Sequence, residues 1–79
     1  MNKYIATFHS HFGALQYFKT LNKQGISAKL MPTPRRVSSS CGTCVSYHFD
    51  SAIDLEDCEL DIVYLENGSN LDCVLNKDN

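Results

Sequence analysis

Asp54-Leu55-Glu56-Asp57-Cys58-Glu59-Leu60-Asp61-Ile62-Val63-Tyr64-Leu65-Glu66 supports two different folds. Leu55, Cys58, Ile62 and Leu65 recur at helical spacing behind Asp54, a competent N-cap. Ile62-Val63-Tyr64-Leu65 is equally good strand sequence, because β-branched and aromatic side chains suit a pleated surface. The helical spacing favours a helix over residues 54–66. That choice governs the architecture, since the rest of the chain is easier to read.

Residues 3–8 are apolar on both faces and rich in Tyr, Ile, Thr and Phe, as in a central strand. Ser10 is placed to cap a helix over 11–24, with Ala14, Leu15, Phe18 and Leu21 as its apolar stripe and Gly25 ending it. Residues 26–31 alternate, with Ile26, Ala28 and Leu30 on one face and Ser27 and Lys29 on the other. A connection over 32–43 follows, and residues 44–49 resume a strand. Asn67-Gly68-Ser69-Asn70 is a turn, and residues 71–75 are a last strand. With 54–66 helical, the order is strand, helix, strand, strand, helix, strand. The expected fold is therefore α+β: a ferredoxin-like βαββαβ sandwich, a four-stranded sheet with two helices on one face.

Seventy-nine residues make a single domain, 1–79, with a modest core and no room for a deep enclosed site. The first eight residues lack the apolar run of a secretory signal, and no stretch reaches the length of a membrane span. A cytoplasmic protein with reduced thiols is expected, without membrane partners. Charge is unevenly spread. All six cations before residue 50 (Lys3, Lys19, Lys23, Lys29, Arg35 and Arg36) precede the first acid, whereas nine acids face Lys77 alone afterwards. Two complementary surfaces of one fold are the simplest account. Six cations without interleaved surface aromatics do not make a nucleic-acid interface. A small open sheet with edges and charge-split halves also suggests a homodimer.

The chemistry concentrates in Met31-Pro32-Thr33-Pro34-Arg35-Arg36-Val37-Ser38-Ser39-Ser40-Cys41-Gly42-Thr43-Cys44. The two prolines end the preceding strand and hold the backbone extended. Arg35, Arg36, Ser39, Ser40 and Gly42 supply cations, hydroxyls and converging N–H groups around Cys41. Such surroundings stabilise a thiolate, the reactive form of cysteine. Residues 35–42 are expected to stand exposed beyond the strand. Cys44 has three readings: a thiol that resolves an adduct on Cys41, a metal ligand, or a small core residue. Cys58 and Cys73 are expected in the core. A single Cys-x-x-Cys without a second ligand pair is a weak zinc signal, so no metal and no cofactor are assigned. His9 and His11, at the start of the first helix, are candidate bases for Cys41.

Pro32-Thr33-Pro34-Arg35 followed by Ser39-Ser40-Cys41-Gly42, behind this strand–helix–strand opening, resembles the selenium/sulfur (Se/S) carrier protein-like family, a small bacterial domain. The resemblance runs from the first strand and is strongest at this motif; residues 50–79 match only in general pattern. It implies a carrier rather than a stand-alone enzyme, holding sulfur or selenium as a persulfide or perselenide on Cys41. Donor and acceptor proteins would be its partners. Cys44 is not part of the family motif. The residues themselves also permit a thiol–disulfide oxidoreductase using Cys41 and Cys44, or a non-catalytic interaction module.

Overall fold

The structure is a computed structural model that describes residues 1–37 and 41–77. Its elements are β1 (Asn2–Phe8), α1 (His11–Lys23), β2 (Ala28–Pro32), β3 (Thr43–Phe49), a short 3-10 turn (Glu56–Cys58), β4 (Leu60–Asn67) and β5 (Asn70–Asn76). The five strands form one sheet in the order β2-β3-β1-β4-β5, and all four pairings are antiparallel.

This corrects the expected four-stranded sheet with two helices. Residues 54–66 contain one 3-10 turn and then a strand. Two local features favour the strand. Val63 and Leu65 alternate with Ile62 and Tyr64, so β4 serves a two-faced sheet position that an α-helix would not. Gly68 and Ser69 form a two-residue connection, with Asn67 paired to Asn70 and Gly68 at φ 63°. A two-residue hairpin needs positive φ at its first central residue unless strand twist is sacrificed, and Gly provides it without strain. That hairpin joins two strands directly and leaves no place for a helix before it.

The helix is set by its ends. The Ser10 side chain accepts from the Gly13 N–H at 3.1 Å. The same hydroxyl donates to the Glu59 carboxylate at 2.6 Å. The first turn of α1 contains no acid, so Glu59 brings negative charge to the positive end of the helix from elsewhere in the chain. At the other end Gly25, at φ 80°, donates to the Asn22 carbonyl, and Ile26 donates to that of Leu21. These two bonds are the paired closure of a Schellman motif.

The helix covers one face of the sheet. Tyr4, Ala6 and Phe8 of β1, Val45 and Tyr47 of β3, and Leu60 and Val63 of β4 meet Ala14, Tyr17 and Leu21 there. The helical stripe centres on Tyr17 rather than Leu15, which is only half-buried. Tyr17 is fully buried because its hydroxyl is satisfied, donating to the Ile53 carbonyl at 2.7 Å. Tyr47 accepts from the Ile53 N–H at 3.0 Å, so two core tyrosines tie down the coil before the 3-10 turn. Their rings, and that of Phe8, pack at centroid separations of 5.0–5.7 Å.

The second face carries three rows: His48–Lys3–Glu66–Leu71, Lys29–Ser46–Ile5–Tyr64–Cys73, and Met31–Cys44–Thr7. Ile5, Thr7, Cys44 and Ser46 are at most 3% exposed although the helix lies on the opposite side. The β2–β3 connection crosses this face. Arg36 in this connection donates to the Ser69 carbonyl at 2.9 Å and pairs with Glu66 at 3.3 Å, while Val37 is 5% exposed. Since Ser69 and Glu66 belong to the β4–β5 hairpin, the segment 33–37 folds back diagonally across the sheet. The expectation of an exposed 35–42 loop is corrected at Val37: its apolar side chain is buried, while Arg35, Arg36 and Gly42 remain exposed.

The β4–β5 pairing shifts register between Val63 and Tyr64, and the β1–β4 pairing between Ala6 and Phe8. There the Thr7 hydroxyl donates to the Ile62 carbonyl and accepts from the Ile62 N–H, both at 3.2 Å. A side chain thus replaces the backbone bonds lost at the bulge, which explains a buried threonine in a central strand. Among the described residues no helix is long and apolar enough to cross a membrane.

Candidate functional site around Cys41

Cys41 lies at the end of the connection, two residues before β3, and is half-buried. Two bonds from one residue position it. The Thr33 hydroxyl donates to the Cys41 carbonyl at 2.9 Å, and the Thr33 N–H donates to the Gly42 carbonyl at 3.0 Å. The sequence explains the arrangement. Pro32 ends β2 while leaving its carbonyl available, Thr33 retains an N–H that a proline there would lack, and Pro34 turns the chain away. The result is a pinched neck, Thr33 against Cys41-Gly42, from which residues 34–37 extend over the second face.

His11 stands beside this neck. Its Nδ1 lies 3.1 Å from the Thr43 hydroxyl, which places the first turn of α1 against the residue two beyond Cys41. His9 is directed elsewhere: its Nε2 lies 3.8 Å from Asp61, and its N–H donates to the Glu59 carbonyl. Of the two histidines proposed as bases, the structure therefore brings His11 to the Cys41 end of the sheet. Thr33 and Thr43 escaped sequence reading. A β-branched residue between two prolines suggests extended backbone, and only the closed neck shows that its hydroxyl has work to do.

Cys44 occupies a different environment. It is fully buried on the second face and lies 3.8 Å from the Pro32 carbonyl. Burial pushes its thiol pKa up; a hydrogen bond with Thr33 opposes that shift, and the nearby Cys41 charge adds to it. Cys44 is thus held as a thiol next to Cys41, on the face that residues 33–37 cross. None of the four cysteines forms a disulfide. Cys58 is buried as expected. Cys73 is exposed, contrary to expectation, because β5 is an edge strand and its second face lies beyond the reach of the strap.

The other proposed site residues divide. Gly42 joins the neck through its carbonyl. Arg36 is committed to Glu66 and Ser69 at the far end of the strap. Arg35 is exposed in the turn before Val37, where the Val37 N–H donates to the Pro34 carbonyl. Ser38, Ser39 and Ser40 lie outside the described residues. The charge-split halves meet within one chain in part: Lys3 and Arg36 share Glu66, and Lys77 pairs with Asp54 at 2.8 Å.

No curated protein and no solved structure matches the chain. A family model matches residues 3–61, which span β1, α1, β2, the whole β2–β3 connection, β3 and the start of β4. On that match the chain belongs to the family described as "Putative Se/S carrier protein-like".

Proposed function

We propose that the domain carries a single sulfur or selenium atom on Cys41, receiving it from one protein and passing it to another. The observation that supports this reading is the contrast between its two neighbouring thiols. Cys41 is half-buried in a pinned neck at the edge of the fold, whereas Cys44 is fully buried and its thiol is pushed toward the protonated form. One sulfur is presented and the other is withheld.

Loading is a thiol exchange with no net oxidation. The Cys41 thiolate attacks the outer sulfur of a donor persulfide, the donor S–S bond breaks, and the donor leaves as a thiolate. The new persulfide on Cys41 can then pass its outer atom to an acceptor thiolate by the same step. Cys44 supplies an alternative exit: its thiolate attacks the inner sulfur of Cys41, a Cys41–Cys44 disulfide forms and hydrosulfide leaves. The elevated Cys44 pKa makes this exit slow, which suits a carrier that must retain its cargo. The Cys-x-x-Cys runs into the start of a strand and does not itself open a helix, which counts against an oxidoreductase site.

The test is incubation with glutathione persulfide followed by intact-mass and peptide analysis. The expected product is one sulfur atom heavier, with the adduct on the Cys41 peptide. It should be absent from Cys41→Ser and retained in Cys44→Ser. A disulfide as the sole product would favour the oxidoreductase reading. An adduct that persists in Cys41→Ser, or none at all, would overturn the carrier assignment.

A further inference from the structure

The diagonal path of the strap leaves one corner of the second face uncovered. The strap leaves from Pro32 and Thr43 and is anchored at Glu66 and Ser69. The corner off that diagonal, at the β2 edge, contains a recess of about 250 Å³ lined by Ser27, Ala28, Lys29, Ser46 and His48. Register explains the grouping. Lys29 lies opposite Ser46, and the His48 N–H donates to the carbonyl of Ser27, just before β2, so four polar side chains share one patch.

We propose that this recess binds a compact oxyanion of the phosphate or sulfate class. No acidic residue is among its five lining residues, whereas an ammonium, an imidazole and two hydroxyls are. Ser46 is 3% exposed and forms a buried hydroxyl at the inner edge, with Lys29 and His48 at the exposed rim. The next side chain along the His48 row is Lys3, a further cation, although it shares Glu66 with Arg36. A charged acceptor here meets charge-assisted donors on one side and a desolvated hydroxyl on the other. The volume is below the ~300–1,000 Å³ of drug-sized pockets, which selects a ligand of few atoms. The site lies at the opposite end of β2 from Cys41, and its occupancy is independent of the carrier reading.

The experiment is a titration of isotope-labelled protein with potassium phosphate, followed through backbone amide resonances, against potassium chloride at matched ionic strength. Saturable shifts are expected at Ser27, Lys29, Ser46 and His48. Lys29→Gln should weaken binding by about tenfold, the effect of losing one charged hydrogen-bond donor. Lys19→Gln, on the exposed side of α1, should change nothing. Lys29 is exposed on an edge strand, and the dispersion of the spectrum reports directly whether the variant folds; if it does not, His48→Gln takes its place with the same expectation. Linear, non-saturating shifts, shifts reproduced by chloride, or unchanged affinity in the folded variant would overturn the assignment.

Discussion

Arg36, in the connection between β2 and β3, holds Glu66 of β4 at 3.3 Å across the face of the sheet that α1 does not cover. The pair is partly solvent-exposed, so its direct contribution to stability is modest. Its importance is positional: it anchors the far end of the segment whose near end, Thr33, holds Cys41-Gly42.

Arg36→Ala should therefore cost less than ~1 kcal/mol, in keeping with exposed ion pairs. It should nevertheless speed amide exchange at Val37 and alkylation of Cys44, because the cover over the second face is released. Glu66→Ala should reproduce both effects, since the same carboxylate also holds Lys3 at 3.5 Å. Hydrogen-exchange mass spectrometry and timed iodoacetamide labelling provide the readouts. Unchanged exchange at Val37 in both variants would mean that the strap is held by other contacts.

Thr33→Val should loosen the neck at nearly constant shape. It removes the donor to the Cys41 carbonyl and the hydrogen bond that lowers the Cys44 pKa, so Cys44 should titrate still higher than in the parent. A stability loss of about 1 kcal/mol is expected for a part-buried hydrogen bond. Thr33→Ser should restore both properties. Thiol titration in a Cys41→Ser, Cys73→Ser background, with peptide mapping to separate Cys44 from buried Cys58, checks the Cys44 arm.

Gly13→Ala should destabilise the fold, reversing the usual gain of about 1 kcal/mol for this exchange inside a helix. A Cβ at residue 13 would overlap the carbonyl oxygen of Cys58 and approach its carbonyl carbon to 2.9 Å. Both are backbone atoms of the 3-10 turn and cannot rotate aside. The expected loss is about 1–3 kcal/mol, as for other overpacked sites, read from urea unfolding.

Stability should fall on the alkaline side. Burial raises the pKa of Cys44, Tyr17 and Tyr47 in the folded state, and the Asp54 carboxylate raises that of Lys77. A raised folded pKa gives stability that is complete below the unfolded value and is lost as pH rises toward the folded one. The unfolded thiol, tyrosine and lysine values are 9.0, 10.0 and 10.5, so the decline should begin near the first and steepen through the others. Thermal melts across this range, with tyrosinate absorbance as a second probe, should show unfolding and tyrosine ionisation together. Ionisation of all four tyrosines in a protein that remains folded would contradict the burial of Tyr17 and Tyr47.

Where local signals were unambiguous, the sequence determined the structure. Ser10 caps α1, Gly25 ends it, residues 3–8 form a central strand, and the paired prolines end β2, because each depends on backbone geometry within a few residues. The family resemblance at Pro32–Gly42 was likewise legible as a motif. Residues 54–66 were not, since Leu55, Cys58, Ile62 and Leu65 satisfy helical spacing while their neighbours satisfy a strand. Only pairing with β1 on one side and β5 on the other decides between them. The site was divided in the same way. Cys41 stood out from its neighbours in sequence, but the Thr33 neck, the approach of His11 to Thr43, the burial of Val37 and the capture of Arg36 by Glu66 join residues eight to thirty-two positions apart or depend on the face they cover. Such contacts depend on sheet order and on the diagonal course of one connection. These are properties of the assembled sheet, and no local stretch of the chain encodes them.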